Sequence, residues 1–139
     1  MWNDDVYRSY DTGWCEAVKI DKDIEIEYWT TAANGGENTP RFYIERGHKI
    51  YNFVGYYSYY VPGLRHKYGV TPERITAEWT PFVFDREHPE NDPKEGVGGF
   101  GACLWCDIPS AWGEGEILEN LIPLLREYGQ KSRKQPLEM

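Results

Sequence analysis

An α/β fold with a mostly parallel sheet is predicted by three features of this 139-residue chain. Strand-period segments alternate with helical ones in the order strand, helix, strand, helix, strand, helix, the pattern of βα units. Two of the helices open on the same Thr-Pro signal, at Thr39-Pro40 and Thr71-Pro72. The last segment carries a clear apolar stripe at helical spacing.

The elements follow in order. Residues 1–18 are rich in Tyr and Trp and show no clear period. Asp23 to Trp29 alternates polar and apolar, which predicts a first strand. Ala33 to Asn38 has loop composition. Thr39 is placed to cap a short helix that runs from Pro40 to Arg46 and stops at Gly47. HKIYNFV, from His48 to Val54, predicts a second strand, and the tyrosine cluster YYSYY at 56–60 follows its end. A second short helix opens at Pro72. EWTPFVF at 78–84 is loop or strand, interrupted by Pro81, and DREHPENDPKEG at 85–96 is a charged excursion. Val97 to Ile108 predicts one continuous third strand. GEILENLIPLLREY at 115–128 predicts the final helix, with Pro123 expected to kink or break it. No internal repeat or linker divides the chain, so 1–130 is expected to be one unit and 131–139 a polar tail.

Composition narrows the function. The chain has 23 acidic and 15 basic side chains, a net charge of -8. Nucleic acid is disfavoured, because phosphate binding needs clustered Lys and Arg. No run of about 18 apolar residues predicts a membrane span, and the first residues show neither the basic nor the apolar region of a signal peptide. Three cysteines (15, 103 and 106) are expected as free thiols. The unusual feature is aromatic: 6 Trp, 11 Tyr and 5 Phe, in a chain of mean hydropathy -0.69. Either the core is filled with amphipathic rings, or the rings wall a sugar site whose acids bind hydroxyls.

GGFGACLWCDIPSAWGEGE at 98–116 holds the densest set of candidate motifs. A redox Cys-x-x-C pair sits at a helix start, whereas Cys103 and Cys106 fall in a predicted strand and would point to opposite faces. They are expected to pack as thiols, and no zinc spacing accompanies them. The glycines precede a strand rather than open a helix, so they do not form a phosphate loop. His48, His66 and His88 lack ligand spacing, so no metal or cofactor is implied. Trp105 and Asp107 remain. On a strand they share a face, and the carboxyl end of a parallel strand is where ligands bind. Trp29 ends the first strand in the same way. Core packing plus a surface acid is the alternative.

Five segments in order, WND at 2–4, IEYWT at 26–30, GHKIYNFVGYYSYYVPG at 47–63, EWTPF at 78–82 and GACLWCDIPSAWGEGEI at 101–117, resemble the C-terminal half of glycoside hydrolase family 20, the β-N-acetylhexosaminidases and lacto-N-biosidases. The resemblance implies a partial (β/α)₈ TIM-like barrel of about four parallel βα units, with the site at the strand ends. It implies substrate-assisted retaining hydrolysis of terminal β-linked N-acetylhexosamine, in which the sugar's acetamido carbonyl attacks the anomeric carbon. Trp2, Trp29 and Trp105 would match the tryptophans that wall the pocket, with Trp79 a further one. Tyr59 would match the tyrosine that donates to the acetamido oxygen, in a cluster where the register can slip by one. Asp107 would match the acid that holds sugar hydroxyls. The family's catalytic Asp-Glu pair has no counterpart here: Asp4-Asp5 stands at another place. Without the general acid, the isolated chain is expected to be inactive or nearly so. An open half-barrel is expected to self-associate or to pack with an N-terminal half-barrel, its uncovered face carrying apolar and aromatic side chains. Members of the family are often secreted or displayed on bacterial cells. A non-catalytic carbohydrate-binding module and a structural or interaction domain are the competing functions.

Overall fold

The computed structural model describes residues 1–7, 20–31, 38–63, 70–108 and 112–133. Residues 8–19, Cys15 among them, and His66, for which the sequence raised expectations, lie outside these. Three short strands, β1 (Ile26–Tyr28), β2 (Ile50–Asn52) and β4 (Val97–Phe100), form a parallel sheet in the order β1-β2-β4. A second parallel pair joins β3 (Tyr59–Tyr60) to β5 (Cys103–Leu104). The N-terminal segment adds a further parallel partner. Trp2 bridges to Glu27, and the Glu27 amide donates to the Met1 carbonyl at 2.7 Å. The preceding amide, of Ile26, donates to Lys49 at 2.9 Å. Successive amides of a strand point to opposite edges, so β1 lies between the N-terminal segment and β2. The fold is therefore mixed α/β with parallel strands.

The expected third strand is broken. β4 pairs with β2 and β5 pairs with β3, with Gly101 and Ala102 between them. On the facing chain, residues 53–58 leave the sheet to form a single helical turn, α2 (Gly55–Ser58). Asn52 stands at the point of departure, after which the Phe53 amide still donates to the Tyr28 carbonyl at 2.9 Å. The fully buried Asn52 side chain donates to the carbonyls of Pro81 (3.1 Å) and Val83 (2.8 Å), and its Oδ1 accepts from the Val54 amide at 3.1 Å. That local bond serves the Val54 amide where the ladder ends. Gly101 must be glycine here, because a Cβ would lie 2.0 Å from Phe53 Cε1.

α1 (Pro40–Glu45) begins on proline as expected, but Thr39 makes no capping hydrogen bond; Gly47 ends the segment at φ 91°. α3 (Pro72–Glu78) has the cap that α1 lacks, Thr71 Oγ1 accepting from the Arg74 amide at 3.2 Å. α4 (Glu114–Arg133) is longer than expected and takes in the start of the segment read as a tail. Pro123 does not break it. Proline leaves the carbonyl four residues earlier, that of Glu119, without an intrahelical donor. Both residues are exposed, so water can satisfy that oxygen.

Two apolar clusters hold these elements. One joins Ile26, Tyr28, Ile50 and Val97 to Tyr43 of α1 and to Phe84. The other packs Tyr57, Ile75 and Trp79 against Leu124 and Tyr128 of α4. The sheet is thus covered on one face. Its other face carries, among the described residues, the aromatic Tyr51 and Phe53 together with the charged Glu27 and Lys49, all half-buried. The exposed apolar side chains stand elsewhere: Met1 at one edge, and Leu104, Ile108, Leu118, Ile122 and Leu125 on the last strand–helix unit.

Candidate functional site

At the carboxyl ends of the parallel strands lies a cavity of about 530 Å³ lined by Trp2, Asp4, Trp29, Tyr59, Val61, Trp105 and Asp107. The N-terminal segment and three of the strands contribute. Trp2 comes from the N-terminal segment, Trp29 follows β1, Tyr59 begins β3, and Trp105 follows β5. The rings form a connected wall. Trp2 and Trp29 meet edge to face at 6.2 Å, Trp29 and Tyr59 lie nearly parallel (11°) at 6.3 Å, and Tyr59 and Trp105 are 5.6 Å apart.

Local chemistry fixes each wall. Buried Asn3 clamps the N-terminal segment to the end of β1. Its Oδ1 accepts from the Trp29 amide (2.9 Å) and the Thr30 amide (3.2 Å), and its Nδ2 donates to the Thr30 carbonyl (2.9 Å). The Tyr43 hydroxyl donates to the Asn3 carbonyl at 2.7 Å. Trp2 is then packed edge-on against Phe53 at 5.7 Å, the ring for which Gly101 makes room. The Trp105 amide donates to the Tyr60 carbonyl at 3.0 Å, which places its ring beside Tyr59. The Trp29 indole Nε1 donates to Asp4 Oδ1 at 2.8 Å.

Five of the six residues singled out from the sequence meet in this cavity: Trp2, Trp29, Tyr59, Trp105 and Asp107. β5 stops at Leu104, so Trp105 and Asp107 stand beyond the strand rather than on one face of it. Trp79 is elsewhere. It is fully buried in the second core cluster, 4.9 Å from both Phe100 and Tyr128, and its Nε1 has no partner among the described residues. Its neighbours are core residues, which corrects its expected place in the pocket wall. Among the clustered tyrosines, Tyr57 and Tyr60 are buried. Tyr56 faces Arg74, whose guanidinium lies 3.6 Å from its ring, and bonds Arg86. Tyr59 is the one at the cavity.

Asp4 was missed as a cavity residue. A sequence signal for it existed: Trp2-x-Asp4 repeats the spacing of Trp105-x-Asp107. Cys103 is half-buried and burial pushes its thiol up, away from thiolate chemistry, while Cys106 is exposed. His48 is a buried structural residue, bonded to the Tyr7 hydroxyl and the Ile24 carbonyl, both at 2.9 Å. Among the described residues, no three His, Cys, Asp or Glu side chains converge as metal ligands, and no helix is long and apolar enough to cross a membrane.

No protein-family model and no curated protein sequence matches the chain. Solved structures do. Dispersin B superposes on 96% of this chain with a TM-score of 0.74 at 21% identity. The tandem GH20 catalytic modules of the pneumococcal exo-β-D-N-acetylglucosaminidase StrH superpose on 94% with a TM-score of 0.64 at 26% identity. The chain spans only 42% and 30% of those two chains. The likeness carried by the five sequence segments is therefore carried by the backbone too: this chain is similar to part of a glycoside hydrolase family 20 hexosaminidase.

Proposed function

We propose that this chain is the sugar-binding part of a β-N-acetylhexosaminidase-like glycoside hydrolase, folded as a partial (β/α)₈ barrel of about four parallel βα units. The unit boundaries are the N-terminal segment, β1, β2 with β3, and β4 with β5. Their order in space equals their order in sequence, as in a singly wound barrel, whereas a doubly wound sheet reverses order at its switch point. The observation that carries the functional reading is the cavity. Adjacent units of the parallel array build one aromatic cup that Asp107 also lines, the chemistry that stacks on a pyranose C–H face and accepts its hydroxyls.

In this reading Trp2, Trp29 and Trp105 wall the N-acetyl sugar. The Tyr59 hydroxyl donates to the acetamido oxygen, which is the nucleophile in substrate-assisted hydrolysis. Asp107 accepts from sugar hydroxyls. The chain contains no Asp-Glu dipeptide, so it lacks the pair that would orient the acetamido group and protonate the leaving oxygen. It is expected to bind without appreciable turnover. The glycan ends in β-linked N-acetylglucosamine, N-acetylgalactosamine or lacto-N-biose.

Titration with an N-acetylglucosamine-derived thiazoline, followed by tryptophan fluorescence, tests this. Saturable quenching is expected in the native chain and is lost in Trp105→Ala and Asp107→Ala. An unchanged spectrum at millimolar ligand would refute the sugar reading for the chain by itself.

A further inference from the structure

We propose that Asp4 is a positioning residue of the cavity, its carboxylate holding the Trp29 indole so that this ring stands parallel to Tyr59. Three observations converge. The Trp29 Nε1–H donates to Asp4 Oδ1 at 2.8 Å, the short distance of a bond to a charged acceptor. Trp29 and Tyr59 are the nearly parallel pair of the wall, at 11°, whereas Trp29 meets Trp2 at 80°. Asp4 itself lines the cavity beside both.

Backbone anchoring alone does not set the ring. Asn3 fixes the Trp29 amide, but rotation about the two side-chain torsions remains, and the second is broad for an aromatic ring. Trp29 is only half-buried, so packing constrains it incompletely. Its indole carries a single polar atom, a donor. One acceptor at a fixed place therefore selects one orientation. Asp4 has that place because it sits on a short 3₁₀ turn (Asn3–Asp5) that starts directly after the Trp2 bridge and is pinned through Asn3. The N-terminal segment thus supplies one wall of the cavity, Trp2, and orients the next.

The test has a structural arm independent of any ligand and a binding arm that rests on the sugar reading. The indole N–H of Trp29 is assigned in a proton–nitrogen spectrum by its loss in Trp29→Phe, and its exchange with solvent is compared with that of Trp105, which is 41% exposed. Exchange about tenfold slower than at Trp105 is expected, since a bond to a charged group is worth at least that factor. Asp4→Asn, which keeps an acceptor oxygen without the charge, retains part of the protection; Asp4→Ala and Asp4→Leu lose it. The other indole signals report whether each variant is folded. In the binding arm, Asp4→Leu weakens affinity for the thiazoline about tenfold. Adding it to Trp29→Ala costs nothing further, because the two act through one ring.

A Trp29 indole that exchanges as fast as Trp105 in the native chain overturns the proposal, as does protection that survives in Asp4→Leu. Additive losses in the double variant overturn it as well. Should the native chain not bind the thiazoline while the exchange pattern appears as expected, the sugar reading fails and the positioning role stands.

Discussion

Trp79 and Trp105 show how surroundings decide what a tryptophan does. Trp79 is enclosed by Phe100, Tyr128 and Leu124; Trp105 has the cavity on one side and solvent on the other. Truncation should separate them. Trp79→Ala is expected to destabilise the chain by about 3–5 kcal/mol through lost burial and a residual void, measured by denaturant unfolding. Trp105→Ala is expected to change stability by less than about 1 kcal/mol while abolishing the fluorescence response to ligand. Equal destabilisation by the two substitutions would mean that Trp105 is a core residue. The Trp-x-Asp spacing was legible at Trp105-Asp107 and equally present at Trp2-Asp4. Nothing in the sequence marked the indole partner of Asp4, 25 residues away.

Among the elements, the helices were the more legible. Thr71-Pro72 and the final helix lie where local signals put them, because capping and helical periodicity act over a few residues. Of the apolar stripe at 117, 118, 121, 122, 124 and 125, however, Leu118, Ile122 and Leu125 are exposed, and the buried contacts are those of Leu124 and Tyr128. Pro123 is a further exception. It lies on the exposed side of α4, where Leu124 and Tyr128 face the core and water can serve the freed carbonyl. Packing of Leu124 and Tyr128 then outweighs the lost bond. Pro123→Ala restores that bond and removes the ring clash, so it is expected to raise stability by about 1–3 kcal/mol, after allowing for the larger entropy of the unfolded chain. A lower unfolding midpoint in this variant would show instead that the proline shapes a packing surface. The strands were less legible. Val97 to Ile108 is predicted as one strand, yet it changes partner at Gly101. Where it breaks, its partner segment departs too: after Asn52 the facing chain turns into α2, and pairing resumes only at Tyr59 with Cys103, a long-range event with no trace in the local pattern.

At the scale of the whole molecule, the core is stapled by phenols. Tyr28, Tyr57 and Tyr128 are buried, and burial above all holds each hydroxyl well above the ordinary value of 10.0; nearby Asp85 adds to this at Tyr28 and Glu78 at Tyr57. The folded chain therefore favours the neutral phenol. The stability this contributes is present below pH 10 and is lost as pH rises beyond it, where unfolded phenols ionise. Alkaline titration should show the exposed tyrosines ionising first and these three only as helical circular dichroism disappears. Ionisation of all 11 tyrosines near pH 10 with the fold intact would contradict this.

The exposed apolar side chains also belong to this scale. Met1 lies at one edge of the strand array and Leu104, Leu118, Ile122 and Leu125 at the other. Opposite edges that both seek cover suit a head-to-tail arrangement of copies. At micromolar concentration the purified chain is expected to sediment as a dimer or a larger closed assembly, dispersed by Leu118→Glu with Ile122→Glu. A single monomeric species in the native chain would rule this out.

The sequence by itself determined the α/β class, the short helices and most of the aromatic residues that gather at the cavity, because periodicity, capping residues and ordered motifs are local and survive in one dimension. Only the tertiary structure decided that Trp79 is core, that Asp4 faces the cavity, that one apparent strand is two, and that the uncovered sheet face is polar as well as aromatic. Each of those depends on contacts between residues distant in sequence, and no local pattern records them.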